Sequence, residues 1–273
     1  MEQEWKITVW GVRGSVPAPS EEFLRYGGNT SCISVDCGGS LVVFDAGSGL
    51  LQLGKKLQNS GKRRIDLFFS HLHIDHVLGF YAFHALHDPE MDIRLYGESR
   101  DGVSFRRQLE VLIGPPYWPL GLGDFPARIE VCEIGPDQFI PLPDGIFVRT
   151  LRGNHPNGSL YFRLESPRRS LVYALDCELN EEVLPPIARF ARNADILVCD
   201  ANFTEDDLAR SRGWGHSSWE QCLELRRACG AKTALLTHYS SDYDDLMLQE
   251  QERLAALMDP AARFAREGME VLL

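Results

Sequence analysis

Positive charge is what this chain has little of: 28 Lys and Arg stand against 39 Asp and Glu, giving a formal net charge of −11 and a pI near 5.2. A protein whose affinity comes from neutralising many phosphates needs the opposite balance, so the composition counts against a broad nucleic-acid-binding surface. The basic clusters that exist, Lys55-Lys56, Lys62-Arg63-Arg64, Arg106-Arg107 and Arg168-Arg169, are short and read as solvated helix or turn ends. No uninterrupted apolar run approaches the roughly 18 residues that spanning a bilayer takes. The opening Met1-Glu2-Gln3-Glu4-Trp5-Lys6 has no basic stretch leading into an apolar one. A cytoplasmic protein with no membrane partner is therefore expected. The seven cysteines, at 32, 37, 132, 177, 199, 222 and 229, are odd in number, scattered and without a C-x-x-C pair. That argues against a disulfide framework and a thiolate zinc knuckle, and leaves them as small core residues. Internal repeats, low-complexity tracts and linkers are lacking too. What is present is 273 residues, 44% hydrophobic, read as one domain over 1–273 with a sizeable core.

The densest chemistry lies in His71-Leu72-His73-Ile74-Asp75-His76, where the apolar run over 65–70 gives out. Such a run reads as a buried strand, so its end projects a set of polar side chains. A single histidine beside a strand is ordinarily a structural residue, since neutral imidazole is inexpensive to bury. Three imidazoles and a carboxylate within six residues are different, because crowded polar groups need a partner that relieves them. Imidazole and carboxylate are the donors that zinc and similar divalent ions take. Four such groups are more than one loop easily aims at one ion, which points to two.

Strands are expected at 7–12, 32–36, 41–44, 65–70, 92–96, 129–133, 147–151, 160–164, 171–174, 196–199 and 234–237, with 32–44 a hairpin turning at Gly38-Gly39. Helices are expected at 50–57, 78–86, 181–191, 218–228 and 242–257. The stretch 98–126 is less regular. Its rigid, aromatic Gly114-Pro115-Pro116-Tyr117-Trp118-Pro119 suits a lid, a pocket wall, a subunit contact or a loop packed on its own core. Further candidates are His155, His216 and His238 in strand-end loops, and Asp176 and Asp200, each directly after an apolar run. Ligands at strand ends converge across a sheet, where α/β folds build sites. Asn29 and Thr30 read as hydrogen-bond donors to the substrate or braces for the ligand loops, and Asp45 as a support behind a ligand, with loop stabilisation the other reading of all three.

His71-x-His73-x-Asp75-His76, followed in order by His155, Asp176 and His238, resembles the ligand series of the metallo-β-lactamase fold superfamily of metal-dependent hydrolases. The resemblance implies an α/β fold of four layers, an αβ/βα sandwich. It further implies two divalent ions, zinc with Mn2+ or Fe2+ as alternatives: His71, His73 and His155 on one, Asp75, His76 and His238 on the other, and Asp176 bridging. Gly11-x-x-Gly14-Ser15-x-Pro17, Gly27-Gly28-Asn29-Thr30-Ser31 and Gly215-His216-Ser217-Ser218 look like the ribonuclease Z and cyclic-phosphodiesterase branch. By that likeness His216, oriented by Asp200, is a catalytic histidine beside the scissile phosphate, and Asp75 belongs to the catalytic set as well as the ligand set.

One departure from that branch concerns substrate. Members with a protruding tRNA-binding arm carry it between the third ligand motif and the bridging aspartate, yet His155 and Asp176 are only 21 positions apart. The expectation is thus a dinuclear phosphodiesterase acting on a small phosphodiester, linear or cyclic, or a nucleotide through a metal-bridging hydroxide, with tRNA set aside as a partner and a homodimer left open. Two alternatives stand beside it: hydrolysis of a lactone, thioester or β-lactam at the same metals, and a non-catalytic ligand-binding regulator on the same fold.

Overall fold

The structure, a computed structural model, describes residues 4–58 and 60–273; Met1, Glu2 and Gln3 of the opening segment lie outside the described residues. Six strands are laid down first: β1 (Lys6–Gly11), β2 (Cys32–Asp36), β3 (Leu41–Phe44), β4 (Arg64–Phe68), β5 (Asp92–Glu98) and β6 (Arg128–Ile134). Seven more make a second sheet: β7 (Phe139–Pro141), β8 (Phe147–Gly153), β9 (Ser159–Glu165), β10 (Ser170–Ala174), β11 (Ile196–Asp200), β12 (Thr233–Thr237) and β13 (Ala262–Phe264). The last strand, β14 (Glu270–Leu272), returns to pair with β1. The sheets run in the orders β14-β1-β2-β3-β4-β5-β6 and β13-β12-β11-β10-β9-β8-β7. Each is antiparallel on one side and parallel on the other, the parallel pairs being β3 to β6 in the first and β10 to β13 in the second.

The helices are α1 (Leu50–Leu57), α2 (Ile74–Val77), α3 (Phe105–Leu112), α4 (Leu184–Phe190), α5 (Glu205–Leu208), α6 (Trp219–Cys229) and α7 (Asp245–Met258). Strand alternation explains the layering. In β3 and β4, Val42, Phe44 and Phe68 join one apolar core while Leu41, Val43, Ile65 and Leu67 join another, so both faces of the strands are buried. The first core lies between the sheets, where Phe44 stacks on Phe162 at 5.6 Å and on Tyr173 at 5.2 Å. The second packs the outer face of the first sheet against α1 and α3. The result is the four-layer αβ/βα sandwich. Six of the seven cysteines are buried free thiols, and Cys132 is part-buried.

Several elements differ from expectation for local reasons. β4 stops at Phe68: Phe69 N–H makes the last ladder bond, to Tyr96 O (2.8 Å), and the Asp45 side chain, not a neighbouring strand, takes Ser70 N–H (2.7 Å). Over 78–86 the chain makes two short 3-10 turns, Phe80–Ala82 and His84–His87, instead of a helix. Gly79 N–H is drawn to Ala46 O (2.9 Å), and Phe83 between the turns is extended. The helix expected from 181 begins at Leu184, with Pro185 and Pro186 in its first turn, where a missing N–H costs nothing. Helix α3 was not anticipated within 98–126, nor were α2 and α5. The three-residue strands β7, β13 and β14 are too short to show a period. Among the described residues no helix is long and apolar enough to cross a membrane.

Candidate metal centre

The site forms where strand ends from the two sheets meet. The 71–76 segment follows β4, His155 follows β8, Asp176 follows β10, Asp200 ends β11 and His238 follows β12. His71, His73 and His155 bring ligand atoms within 4.8 Å of one another, and so do Asp75, His76 and His238. In the first group His155 Nε2 lies 3.1 Å from His73 Nδ1. In the second, His238 Nε2 lies 3.2 Å from both His76 Nε2 and Asp75 Oδ2. Asp176 stands between them: Oδ1 is 3.5 Å from His155 Nε2 and 3.8 Å from His71 Nε2, while Oδ2 is 2.9 Å from His76 Nε2 and 3.3 Å from His238 Nε2. The structure thus brings all seven residues of the ligand series together.

Burial holds His71, His73 and His155 below the ordinary imidazole range, so they are neutral and offer lone pairs. Burial pushes Asp75 and Asp176 the other way. The neighbouring imidazoles outweigh it, His76 and His238 for Asp75 and His238, His76 and His71 for Asp176, and keep both carboxyls well below their usual range. For His76 burial opposes charge, but Asp176, Asp75 and Asp45 together raise it well above the imidazole norm.

The ligands are braced from behind. Asp45, fully buried, has Oδ2 2.7 Å from His76 Nδ1 and also accepts from Ser70 Oγ and Tyr173 OH, each at 2.8 Å. It thereby leaves His76 Nε2 for the site. Gly215 O lies 2.9 Å from His155 Nδ1, Ser15 N–H donates to Asp75 Oδ2 (2.9 Å), and Asn202 Nδ2 donates to His238 O (2.8 Å). Three of these strand-end residues, Asp45, Asp176 and His238, sit at left-handed φ of 58°, 55° and 67°. Such torsions cost a non-glycine residue about 1–2 kcal/mol and persist where surrounding contacts hold them. Arg13, fully buried, joins two of the surrounding loops: Nε donates to Gly27 O (2.8 Å) and Nη1 to Ser240 O (3.1 Å) and Tyr243 O (2.7 Å). It ties the loop after β1 to the loop after His238.

His216 lies beside the cluster. Its Nδ1 is 2.8 Å from Asp200 Oδ2, and its ring packs 5.2 Å from those of His155 and His238. Burial opposes its charge, but the Asp200 carboxylate, through charge and hydrogen bond, lifts it to about 9. Glu178 accepts from the N–H groups of Gly213 and Gly215 and fixes the loop that carries His216. Asn29 and Thr30 are spent on the fold: Asn29 Nδ2 donates to Glu267, and Thr30 Oγ1 accepts from Ser48 N–H. Neither Tyr173 nor Glu178 stood out in the sequence, the one inside an apolar run and the other an ordinary loop acid.

A family model described as "Beta-lactamase superfamily domain" matches residues 41–239, which contain every site residue from Asp45 to His238. The chain belongs to this superfamily. A ribonuclease Z of Archaeoglobus fulgidus is 26% identical over 290 aligned positions, covering 88% of each protein. YhfI of Bacillus subtilis, a metallo-β-lactamase fold protein, superposes with a TM-score of 0.74 at 20% identity and 99% coverage of both chains. The short form of human tRNase Z gives 0.69 at 19% identity, over 97% of this chain and 98% of that one. The superfamily's fold is that of the two helix-flanked mixed sheets. Setting tRNA aside as a partner gains no support from these similar proteins, of which one is named a ribonuclease and another a tRNase.

Superfamily membership implies divalent metal ions, and the residues present fit them. Among the described residues His71 Nε2 is buried without a hydrogen-bond partner, and the buried Asp176 Oδ2 has only imidazole nitrogens close by, that of His76 at 2.9 Å and that of His238 at 3.3 Å. Ring nitrogens face one another at 3.1 and 3.2 Å. Imidazole nitrogens crowded this closely around a buried carboxylate, with a stranded buried acceptor among them, are costly alone and are what a cation satisfies.

Proposed function

We propose that this chain is a dinuclear metal-dependent phosphodiesterase acting on a small phosphodiester. His71, His73 and His155 would hold one ion, Asp75, His76 and His238 the other, and Asp176 would reach both; zinc suits this donor set. Bound there, such ions supply Lewis acidity toward phosphoryl oxygens and acidify water at neutral pH. The remaining work falls to the chain. Asp200 accepts the Nδ1 proton of His216 and so fixes its tautomer, which leaves Nε2 as the atom that holds and delivers a proton to the leaving alkoxide. The raised basicity of His216 keeps that proton in place at pH 7. Asp75, anchored by Ser15 N–H, acts within the second ligand group.

The single observation that carries this reading is the His216–Asp200 pair set against the ligand cluster, since hydrolysis of a lactone, thioester or β-lactam needs no such pair. The ribonuclease relative keeps RNA in view as a substrate class. Against a long, folded RNA stand the acidic balance and the short 155–176 interval. The alignment with the Archaeoglobus enzyme also runs to 290 positions while 88% of this chain is about 240 residues, so about 50 of its positions are gaps on this side.

The test is a hydrolysis panel on metal-analysed protein: linear and cyclic phosphodiesters, a tRNA precursor, a lactone, a thioester and a β-lactam. Turnover of small phosphodiesters is expected. Cleavage of the carbonyl substrates alone overturns the proposal, and cleavage of the tRNA precursor alone replaces the small substrate with RNA.

A further inference from the structure

Two cavities adjoin the candidate metal centre. One, of about 370 Å³, is lined by His71, Leu72, His73, Val111 and Leu112 among others. The second, of about 510 Å³, is lined by Ile74, Tyr81, Val111, Leu112, Tyr117 and Trp118 among residues that include no charged side chain. Val111 and Leu112 belong to both, so the last turn of α3 is the sill between them. Ile74, flanked in the chain by His73 and Asp75, connects the ligand segment to the apolar chamber.

The apolar surface here is left uncovered by folding. Ile74 is 56% exposed, Val111 53% and Tyr117 77%. A contiguous apolar concavity next to convergent polar groups is the usual form of a small-molecule site. Trp118 adds an independent observation. Its ring lies 4.5 Å from that of Tyr81, and its Nε1–H is buried with no acceptor. Because that N–H has no accessible surface, what Trp118 offers the chamber it lines is the face of its ring, on which a ligand's ring can pack.

We propose that this chamber is a substrate subsite that receives an apolar, ring-bearing ester group of the phosphodiester, between α3 and the 113–118 segment, while phosphorus lies at the metal centre. The proposal rests on the phosphodiesterase reading above. It assigns the 98–126 stretch as the wall of a specificity pocket. The diester's charge stays with the ligand cluster, and the ester arm gains by leaving water for a surface that has no charge to desolvate.

The test uses full-length, metal-loaded protein and two pairs of probes. Methyl and 2-phenylethyl p-nitrophenyl phosphate share a leaving group and differ only in the other arm. Ethylphosphonate and 2-phenylethylphosphonate are not hydrolysed and report binding by calorimetry. The phenylethyl member should be favoured about 10-fold in kcat/KM and about 10-fold in Kd. Trp118→Ala and Val111→Gln should each cut both preferences to about 2-fold or less and leave methyl-ester turnover within about 2-fold. Val111 is an exposed helix position, so its variant folds even if Trp118→Ala does not.

Equal use of the two esters together with equal phosphonate affinities, or no binding of either phosphonate, overturns the subsite. So does a preference that survives both substitutions. If sedimentation shows a dimer that Val111→Gln dissolves while the preference persists, the chamber is a subunit contact and the proposal falls. If no diester is hydrolysed but 2-phenylethylphosphonate still binds more tightly in a Trp118- and Val111-dependent way, the phosphodiesterase reading fails while the subsite stands.

Discussion

Two Asp–His pairs of nearly equal geometry flank the ligand cluster, and they differ in everything beyond the shared contact. Asp45 and His76 meet at 2.7 Å, Asp200 and His216 at 2.8 Å, in both cases through Oδ2 and Nδ1. Asp45 is saturated by Ser70 and Tyr173, and the far nitrogen of His76 faces Asp75, Asp176 and His238. Besides His216, Asp200 accepts from the backbone N–H groups of Cys177 and Asn202, each at 3.1 Å, and has His238 Nδ1 3.9 Å away. His216 retains 8% exposure, while His76 has none. A carboxylate behind an imidazole fixes the tautomer in either case. In the function proposed above, the far nitrogen of His76 would hold an ion and that of His216 would move a proton.

Substitutions that separate metal content from turnover test that contrast. The largest effect is expected from His76→Ala, which removes a ligand from the second group: metal analysis should show the content falling by about half, with activity lost alongside it. His216→Ala should keep its full metal complement yet lose about 10²–10⁴-fold in kcat, the usual worth of a general acid. Full turnover in this variant would erase the distinction between the pairs. Asp45→Asn should weaken metal binding by about 10–100-fold, read by competition with a chelator, whereas Asp200→Asn should leave that affinity unchanged and lower kcat. The smallest effect belongs to the loop behind the first ligand group. At Gly215, φ is +87° and an added Cβ would lie 2.1 Å from His155 Nδ1. Gly215→Ala should therefore cost about 1–3 kcal/mol in thermal or denaturant unfolding, with a parallel drop in occupancy of the first ion.

How much of this was readable in the chain follows from how each part is encoded. The 71–76 segment is contiguous, so its donor density shows without any fold. His155, Asp176, Asp200, His216 and His238 are each unremarkable locally, and only their order and likeness to a family joined them. Doubly buried strands such as β3 and β4 announce themselves as apolar runs, whereas β7, β13 and β14 exist because neighbours offer them edges. Helix α3 did leave a signal, Ser104 as N-cap with Phe105 and Leu109 one turn apart, which the surrounding glycines and prolines obscured. The helix expected at 78–86 failed because a tertiary backbone bond at Gly79 outcompeted local periodicity. Tyr173 and Ser70 could not be read as supports for Asp45, since that depends on the two sheets meeting face to face.

Arg13 has a consequence for anyone who would rebuild this molecule. Its three hydrogen bonds end on carbonyl oxygens, and none on a carboxylate. The guanidinium works as a rigid stencil for loop shape: its forked, planar donors set the spacing between one end of the polypeptide and a turn more than two hundred residues later. A lysine carries the same charge but has a single swivelling head and cannot hold that spacing. The two halves of the chain are therefore not exchangeable cassettes. A chimaera that takes its first thirty residues from one parent and its last forty from another must inherit this fastening whole, or the turn that presents His238 loses its template.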